Sequence, residues 1–144
     1  MIEVKEMGPK DVRLLLLKVG YGHLGCARNG RPYVIPIHYA YDERDIFIFT
    51  TEGMKTEYIE ENPEVCLQVE EVQDASHWQS VIITGRAERL EKTEDSELAM
   101  QLISGRNPTL TPALSKMWID NWGRANKVAI YRIHPLVISG RHTA

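Results

Sequence analysis

Residues 46–71 read IFIFTTEGMKTEYIEENPEVCLQVEE, and the fold turns on them. The run Ile46–Thr51 is β-branched and aromatic, which predicts a buried strand. Gly53 interrupts it. Residues 54–61 then read as a short helix with Met54, Tyr58 and Ile59 on one face. Asn62-Pro63 stops that helix. From Glu64 the pattern alternates as a second strand should.

The helix carries its charges backwards. Lys55 falls in its first turn and Glu60 and Glu61 in its last, the reverse of what the helix dipole favours. Glu57 and Glu61 add a like-charge pair four residues apart. Two readings of Lys55 stand side by side. It is a surface lysine touching Glu52 three residues earlier, or the counter-charge of a bound phosphate. Backbone N–H groups and the dipole favour an anion at a helix N-terminus, and Thr50, Thr51 and Thr56 bring hydroxyl groups to the same place. The spacing is not that of a P-loop.

Upstream, GHLGCARNGRPYVIPIHYAYD (22–42) reads as two strands about an Asn29-Gly30 hairpin turn. Asp42–Asp45 makes a second polar turn, so residues 22–51 form a three-stranded meander. GPKDVRLLLLKV (8–19) is a helix with Pro9 near its start. Downstream, ASHW (75–78) reads as a loop and SVIITGRAERLE (80–91) as a long strand, in which Gly85 marks a bulge or a close backbone approach. TEDSELAMQLIS (93–104) is a helix with Gly105 just beyond its end. NPTLTPALSKMWIDNWG (107–123) is a Pro-marked loop and a short helix, and NKVAIYRIHPLVISG (126–140) is the last strand. The expected fold is mainly β with helices (α+β): a small barrel of antiparallel strands with helical caps, as a single domain over residues 1–144.

The chain has 144 residues, 43% hydrophobic and 26% charged, an ordinary globular balance. A net charge of −3 and a pI near 6.0 argue against nucleic acid and anionic membrane as partners. VRLLLLKV is too short to span a bilayer, and the N-terminus lacks the apolar core of a signal peptide. A cytoplasmic protein is expected, with Cys26 and Cys66 as reduced thiols outside any metal spacing.

No Ser-His-Asp set is present. His38 and His23 sit on strands, where structural histidines are common. Tyr39 and Tyr41 alternate as packing residues. Trp118 and Trp122 share a helical face, as core, as interface or as an aromatic wall. The acids Glu70, Glu71 and Asp74 lack a histidine at ligand spacing and read as a solvated strand end, so no metal site is expected.

Taken together, GRPYVIPIHYAYD, the stretch 46–71 and SVIITGRAERLE resemble the FMN-binding split barrels related to pyridoxamine 5'-phosphate oxidase. The Gly-x-Lys, the short helix ending in Asn-Pro and the later Gly-Arg-Ala-Glu-Arg-Leu carry the resemblance. It covers roughly residues 10–92, and the last strand more loosely. It implies a homodimer with FMN at the subunit interface. Ile35, Pro36, Ile37 and His38 would pass along the flavin ring. Phe49, Thr50 and Thr51 would meet the ribityl chain and phosphate, with Lys55 on the phosphate and Met54 and Thr56 beside it. Trp78 and Ser80 would contribute from the start of the long strand. Arg86 and Arg141 are further candidates for the phosphate.

The chain ends SGRHTA, where Arg141 adjoins His142 in place of the Arg-x-His substrate signature, so the resemblance does not extend to pyridoxamine phosphate oxidation. It is similar also to nitroimidazole-resistance-type reductases, but has Phe49-Thr50-Thr51 where many of those carry histidine. The implied activity is transfer of electrons from NAD(P)H through FMN to a small acceptor, with no acid or base assigned and His38, beside the expected flavin path, the best-placed candidate. Alternatives are a non-catalytic flavin-binding or redox-sensing protein, a split barrel holding haem or a deazaflavin, or an empty dimeric scaffold.

Overall fold

A computed structural model describes residues 2–106 and 128–144. Its elements are β1 (Val4–Glu6), α1 (Pro9–Val19), β2 (Tyr21–Arg28), β3 (Arg31–Tyr41), β4 (Ile46–Thr51), α2 (Met54–Glu61), β5 (Glu64–Asp74), β6 (His77–Arg89), α3 (Thr93–Arg106) and β7 (Val128–Thr143). The strands lie in the order β1-β7-β4-β3-β2-β5-β6, and β6 also pairs with β7. That extra pairing closes β7, β4, β3, β2, β5 and β6 into a ring. β1 hangs on the end of β7, Val4 opposite Thr143.

Turn chemistry sets the register. Asn29 and Gly30 adopt φ of 51° and 75°, the left-handed pair that a two-residue hairpin needs, and Arg28 faces Arg31. Asp42 accepts from the amides of Arg44 and Asp45 at 2.9 and 2.7 Å, which closes the β3–β4 turn. Inward side chains then alternate along β5 and β6. Leu24, Leu67, Val69, Val81, Ile83 and Tyr131 are fully buried in the main core. Each large apolar side chain so buried stabilises by roughly 1.5–3 kcal/mol.

The helices cover what the ring leaves open. α1 buries Val12, Leu15 and Leu16, and the Tyr39 hydroxyl donates to the Leu16 carbonyl at 2.8 Å. Burial drives the Tyr39 hydroxyl well above its ordinary pKa, so it remains a donor. α2 sends Ile59 into the same core. α3 lies outside the ring, where Ala99 and Ile103 pack with Ala40, Phe47, Phe49 and Ile130 in a second cluster.

The structure revises several expectations. His77 and Trp78 belong to β6 and not to a loop. The turn is Ala75-Ser76 alone, because the Asp74 carboxylate holds the Ser76 amide at 2.7 Å and His77 Nδ1 at 2.8 Å. α3 continues through Gly105, which does not take the left-handed conformation that would end it. β7 runs on to Thr143 because β6 and β1 flank its end. β1 itself is three exposed residues without alternation, so its sequence carried no strand signal. At Gly85 both expected features occur: the register shifts at Thr84/Gly85, and a Cβ would stand 2.5 Å from the His134 carbonyl oxygen. Residues 107–123, with Trp118 and Trp122, lie outside the described residues. 

The ring has one weak seam. β3 and β4 pair only at Tyr39↔Ile48, Ala40↔Phe47 and Tyr41↔Ile46. Before Tyr39, β3 pairs with β2 alone. After Ile48, β4 pairs with β7 alone. The two strands part there, which makes this a split barrel. The Tyr39 amide donates toward β2, to Gly20. Strand alternation therefore turns the backbone groups of His38, Pro36 and Pro32 away from β2, toward the split. Neither proline withdraws a donor from the β2–β3 ladder.

Candidate functional site

The split brings two of the three expected groups of site residues to one place. β3 forms one lip. Its Pro36 and His38 point to the outer face, whereas Ile35 and Ile37 turn inward and pack on the core. The isoleucines border the opening through their backbone. β4 forms the other lip, and Gly53 carries the chain from it into the N-terminus of α2. Phe49 sends its ring under α3, and Thr50 is buried.

At the start of α2 the side chains divide sharply. Met54 does not share a buried face with Tyr58 and Ile59: it is 56% exposed, at the first helical position. Thr56 is buried, and its hydroxyl donates to the Gly53 carbonyl at 2.8 Å while accepting from the Gly53 amide at 2.9 Å. Its proton is spent within the turn, so it has no hydrogen to offer an anion. Lys55 is half-buried and makes no ion pair among the described residues.

The bland partner for Lys55 is already taken. Glu52 pairs with Arg89 of β6, which also reaches Glu60 at 3.4 Å. Arg28 of β2 reaches Glu61 at 3.1 Å and Glu57 at 3.8 Å. Glu60 accepts a further bond from the buried Tyr131 hydroxyl at 3.1 Å. The acids that oppose the helix dipole are thus held by two arginines and a tyrosine from the barrel. Hydrogen bonding to Glu52, first of all, holds the Arg89 guanidinium above its ordinary pKa. Sequence reading missed Arg28 and Arg89, because their pairing with α2 spans tens of residues. Arg86 and Arg141, named as possible phosphate ligands, instead sit on β6 and β7 opposite His134 and Ser80.

Trp78 and Ser80 form a separate group. They lie on β6, and the path from the split crosses β2 and β5. It runs as a chain of contacts on the outer face. His38 packs edge-on to Tyr21 at 5.4 Å, and Tyr21 to His23 at 5.7 Å. His23 Nδ1 lies 3.3 Å from Gln68 Oε1, and Gln68 Nε2 donates to Ser80 Oγ at 3.2 Å. Three inter-strand spacings put Ser80 about 14 Å round the barrel from His38. One chain does not set Ser80 beside Lys55.

Burial lowers the His38 pKa, which favours the neutral ring. Its Nδ1 is buried without a hydrogen-bond partner among the described residues. Beyond the seam, the outer face carries an apolar strip. Val34 is 64% exposed and Leu136 71%, with Val137 and Ile82 also exposed. Between them the surface dips over Gly25, Cys66 and Thr84, and burial raises the pKa of the Cys66 thiol. Among the described residues no helix is long and apolar enough to cross a membrane, and no cluster of His, Cys, Asp and Glu could hold a metal ion.

These features define an antiparallel split barrel whose opening adjoins a helix N-terminus. Residues 9–142 match the pyridoxamine 5'-phosphate oxidase family, and the chain belongs to it. It is similar over its whole length to an FAD-binding protein from Mesorhizobium loti, at 27% identity, 99% coverage of that chain and a TM-score of 0.79. A candidate 5-nitroimidazole antibiotic resistance protein from Bacteroides thetaiotaomicron shares the fold at 18% identity, over 99% of this chain and 89% of that one, with a TM-score of 0.76. An uncharacterized protein from Rhizobium meliloti is 31% identical over 91 residues, which are 63% of this chain. That match spans 60% of the relative's length.

Proposed function

We propose that the chain is a flavoprotein that binds FMN at the split and passes electrons from NAD(P)H to a small acceptor. One observation carries the reading. Among the described residues Lys55 is left without an acidic partner at a helix N-terminus, while Glu52, Glu57, Glu60 and Glu61 are held by Arg28 or Arg89. A cation kept free where the dipole already supplies positive potential suits a phosphate. The FAD-binding relative from Mesorhizobium loti supports a flavin as the wider class.

The residues present fit such a group. Lys55 and the first amides of α2 would hold the phosphate. Pro36 and His38 would border the ring system. A bound flavin supplies two-electron and one-electron transfer, and the protein supplies position, charge and exclusion of water.

The active form is proposed to be a homodimer. The exposed strip of Val34, Ile82, Leu136 and Val137 is the kind of apolar surface that a second subunit covers. A partner is also the means by which Trp78 and Ser80 would join Lys55 at one flavin.

The test is a visible spectrum of freshly purified protein, with mass analysis of the ligand released on denaturation. A flavin spectrum with an FMN mass supports the proposal; an FAD mass replaces the phosphate assignment by a dinucleotide one. A colourless protein that also fails to take up added FMN overturns it. Oxidation of NAD(P)H on adding acceptors then tests the electron transfer.

A further inference from the structure

His38 stands at the point where β3 and β4 part, and its two ring nitrogens have different surroundings. Nδ1 is buried and has no hydrogen-bond partner among the described residues. Nε2 is not so enclosed and makes no hydrogen bond among the described residues. Tyr21 packs edge-on against the ring, with centroids 5.4 Å apart and planes inclined at 60°, which fixes its orientation. The titratable groups about the ring are Tyr21, in contact, and His23 behind it. No carboxylate makes an ion pair with it among the described residues.

A neutral imidazole carries one proton and must choose a nitrogen. A proton on Nδ1 would be a buried donor without an acceptor, which is costly. A proton on Nε2 is free to meet water or a ligand. The imidazolium carries both protons, so it incurs the same unpaired donor together with the desolvation of a charge. Burial acts in the same direction and lowers the pKa of this ring.

We propose that His38, in its neutral form, is a hydrogen-bond donor protonated on Nε2, which grips an acceptor atom of the flavin ring at the split. The flavin half of this proposal rests on the function proposed above; the tautomer does not. In this role His38 is a cofactor-positioning residue. In that form it delivers a fixed N–H.

The 144-residue chain, labelled with ¹⁵N-histidine, tests the tautomer by long-range ¹H–¹⁵N correlation at pH values from 7 to 8. The expected result is a proton on Nε2 and a bare Nδ1 throughout. A proton on Nδ1, or on both nitrogens, in that range overturns the proposal. FMN titration of wild type, His38→Leu and His38→Gln tests the grip. Gln keeps an N–H near the place of Nε2, and Leu has none. Loss of one neutral hydrogen bond predicts about tenfold weaker binding for Leu, with Gln restoring most of it. Equal affinities in all three, with the tautomer as expected, overturn the grip and leave the functional reading standing. A wild type that takes up no FMN overturns both, and the labelled protein still reports the tautomer.

Discussion

Asn62 donates from Nδ2 to the carbonyl of Ala27 at 3.0 Å, tying the end of α2 to the end of β2 across 35 residues of sequence. The same side chain accepts from the Glu64 amide at 3.2 Å, and its backbone amide closes the helix on Tyr58. α2 has two turns and a weak apolar face, so such ties decide where its N-terminus, and with it Lys55, is held. Asn62→Ala should lower stability by about 1–2 kcal/mol. Native-state hydrogen exchange should show the α2 amides opening more readily than those of β6. Equal loss of protection in both elements would mean that Asn62 supports the whole barrel and not the helix alone.

Lys55→Ala should weaken FMN binding by about tenfold to a hundredfold, the worth of one charge-assisted hydrogen bond. The fold should be unaffected, since Lys55 makes no ion pair among the described residues. Fluorescence titration of FMN and a urea denaturation curve separate the two effects. Unchanged affinity would remove Lys55 from the site.

Tyr39→Phe should destabilise the protein by about 1–2 kcal/mol, because the buried Leu16 carbonyl loses the hydroxyl donor that now meets it at 2.8 Å. Urea unfolding at constant slope reads this directly. A change below the error of that measurement would show that the carbonyl finds another partner.

Gly85→Ala should be worse. The new Cβ would meet the His134 carbonyl oxygen at 2.5 Å and Ile133 Cγ2 at 3.0 Å, and backbone cannot step aside as a flexible side chain does. The expected cost is about 2 kcal/mol or more, read as a fall in the urea midpoint. A wild-type midpoint would show that β6 and β7 can separate at the bulge.

Stability should also fall on acidification, partly through Glu88. The hydrogen bond with His134 at 2.7 Å, first of all, holds this carboxyl below the ordinary glutamate range. A carboxyl depressed in the folded state stabilises above its unfolded pKa, and that contribution is lost as pH falls through the folded value. Glu88→Gln should therefore lower the midpoint at neutral pH and converge with wild type in acid. Parallel curves across that range would assign the effect elsewhere.

Much of this architecture is legible in the chain because its signals are local. Asn29-Gly30, Asp42 and Asn62-Pro63 fix two turns and a helix end from their own chemistry. The alternation from Val65 to Val69 fixes which side chains of β5 face inward. The site is legible only in part, because its electrostatics are made by distant strands. Nothing near Glu52 or Glu60 in sequence announces Arg89, and nothing near Glu61 announces Arg28. Thr56 looked like a phosphate donor by composition, and hydrogen bonding within its own turn uses the proton. β1 was invisible for a related reason: it exists because β7 offers it an edge.

The seam between β3 and β4 has a consequence for solubility. A parted strand ordinarily displays a row of amide donors on which another chain can assemble, the beginning of edge-to-edge aggregation. On the β3 side two of the positions that face the gap are Pro32 and Pro36, and proline has no amide hydrogen to give. An intruding strand would find the row interrupted twice within five residues. The barrel can thus keep its seam open while denying it to a polypeptide.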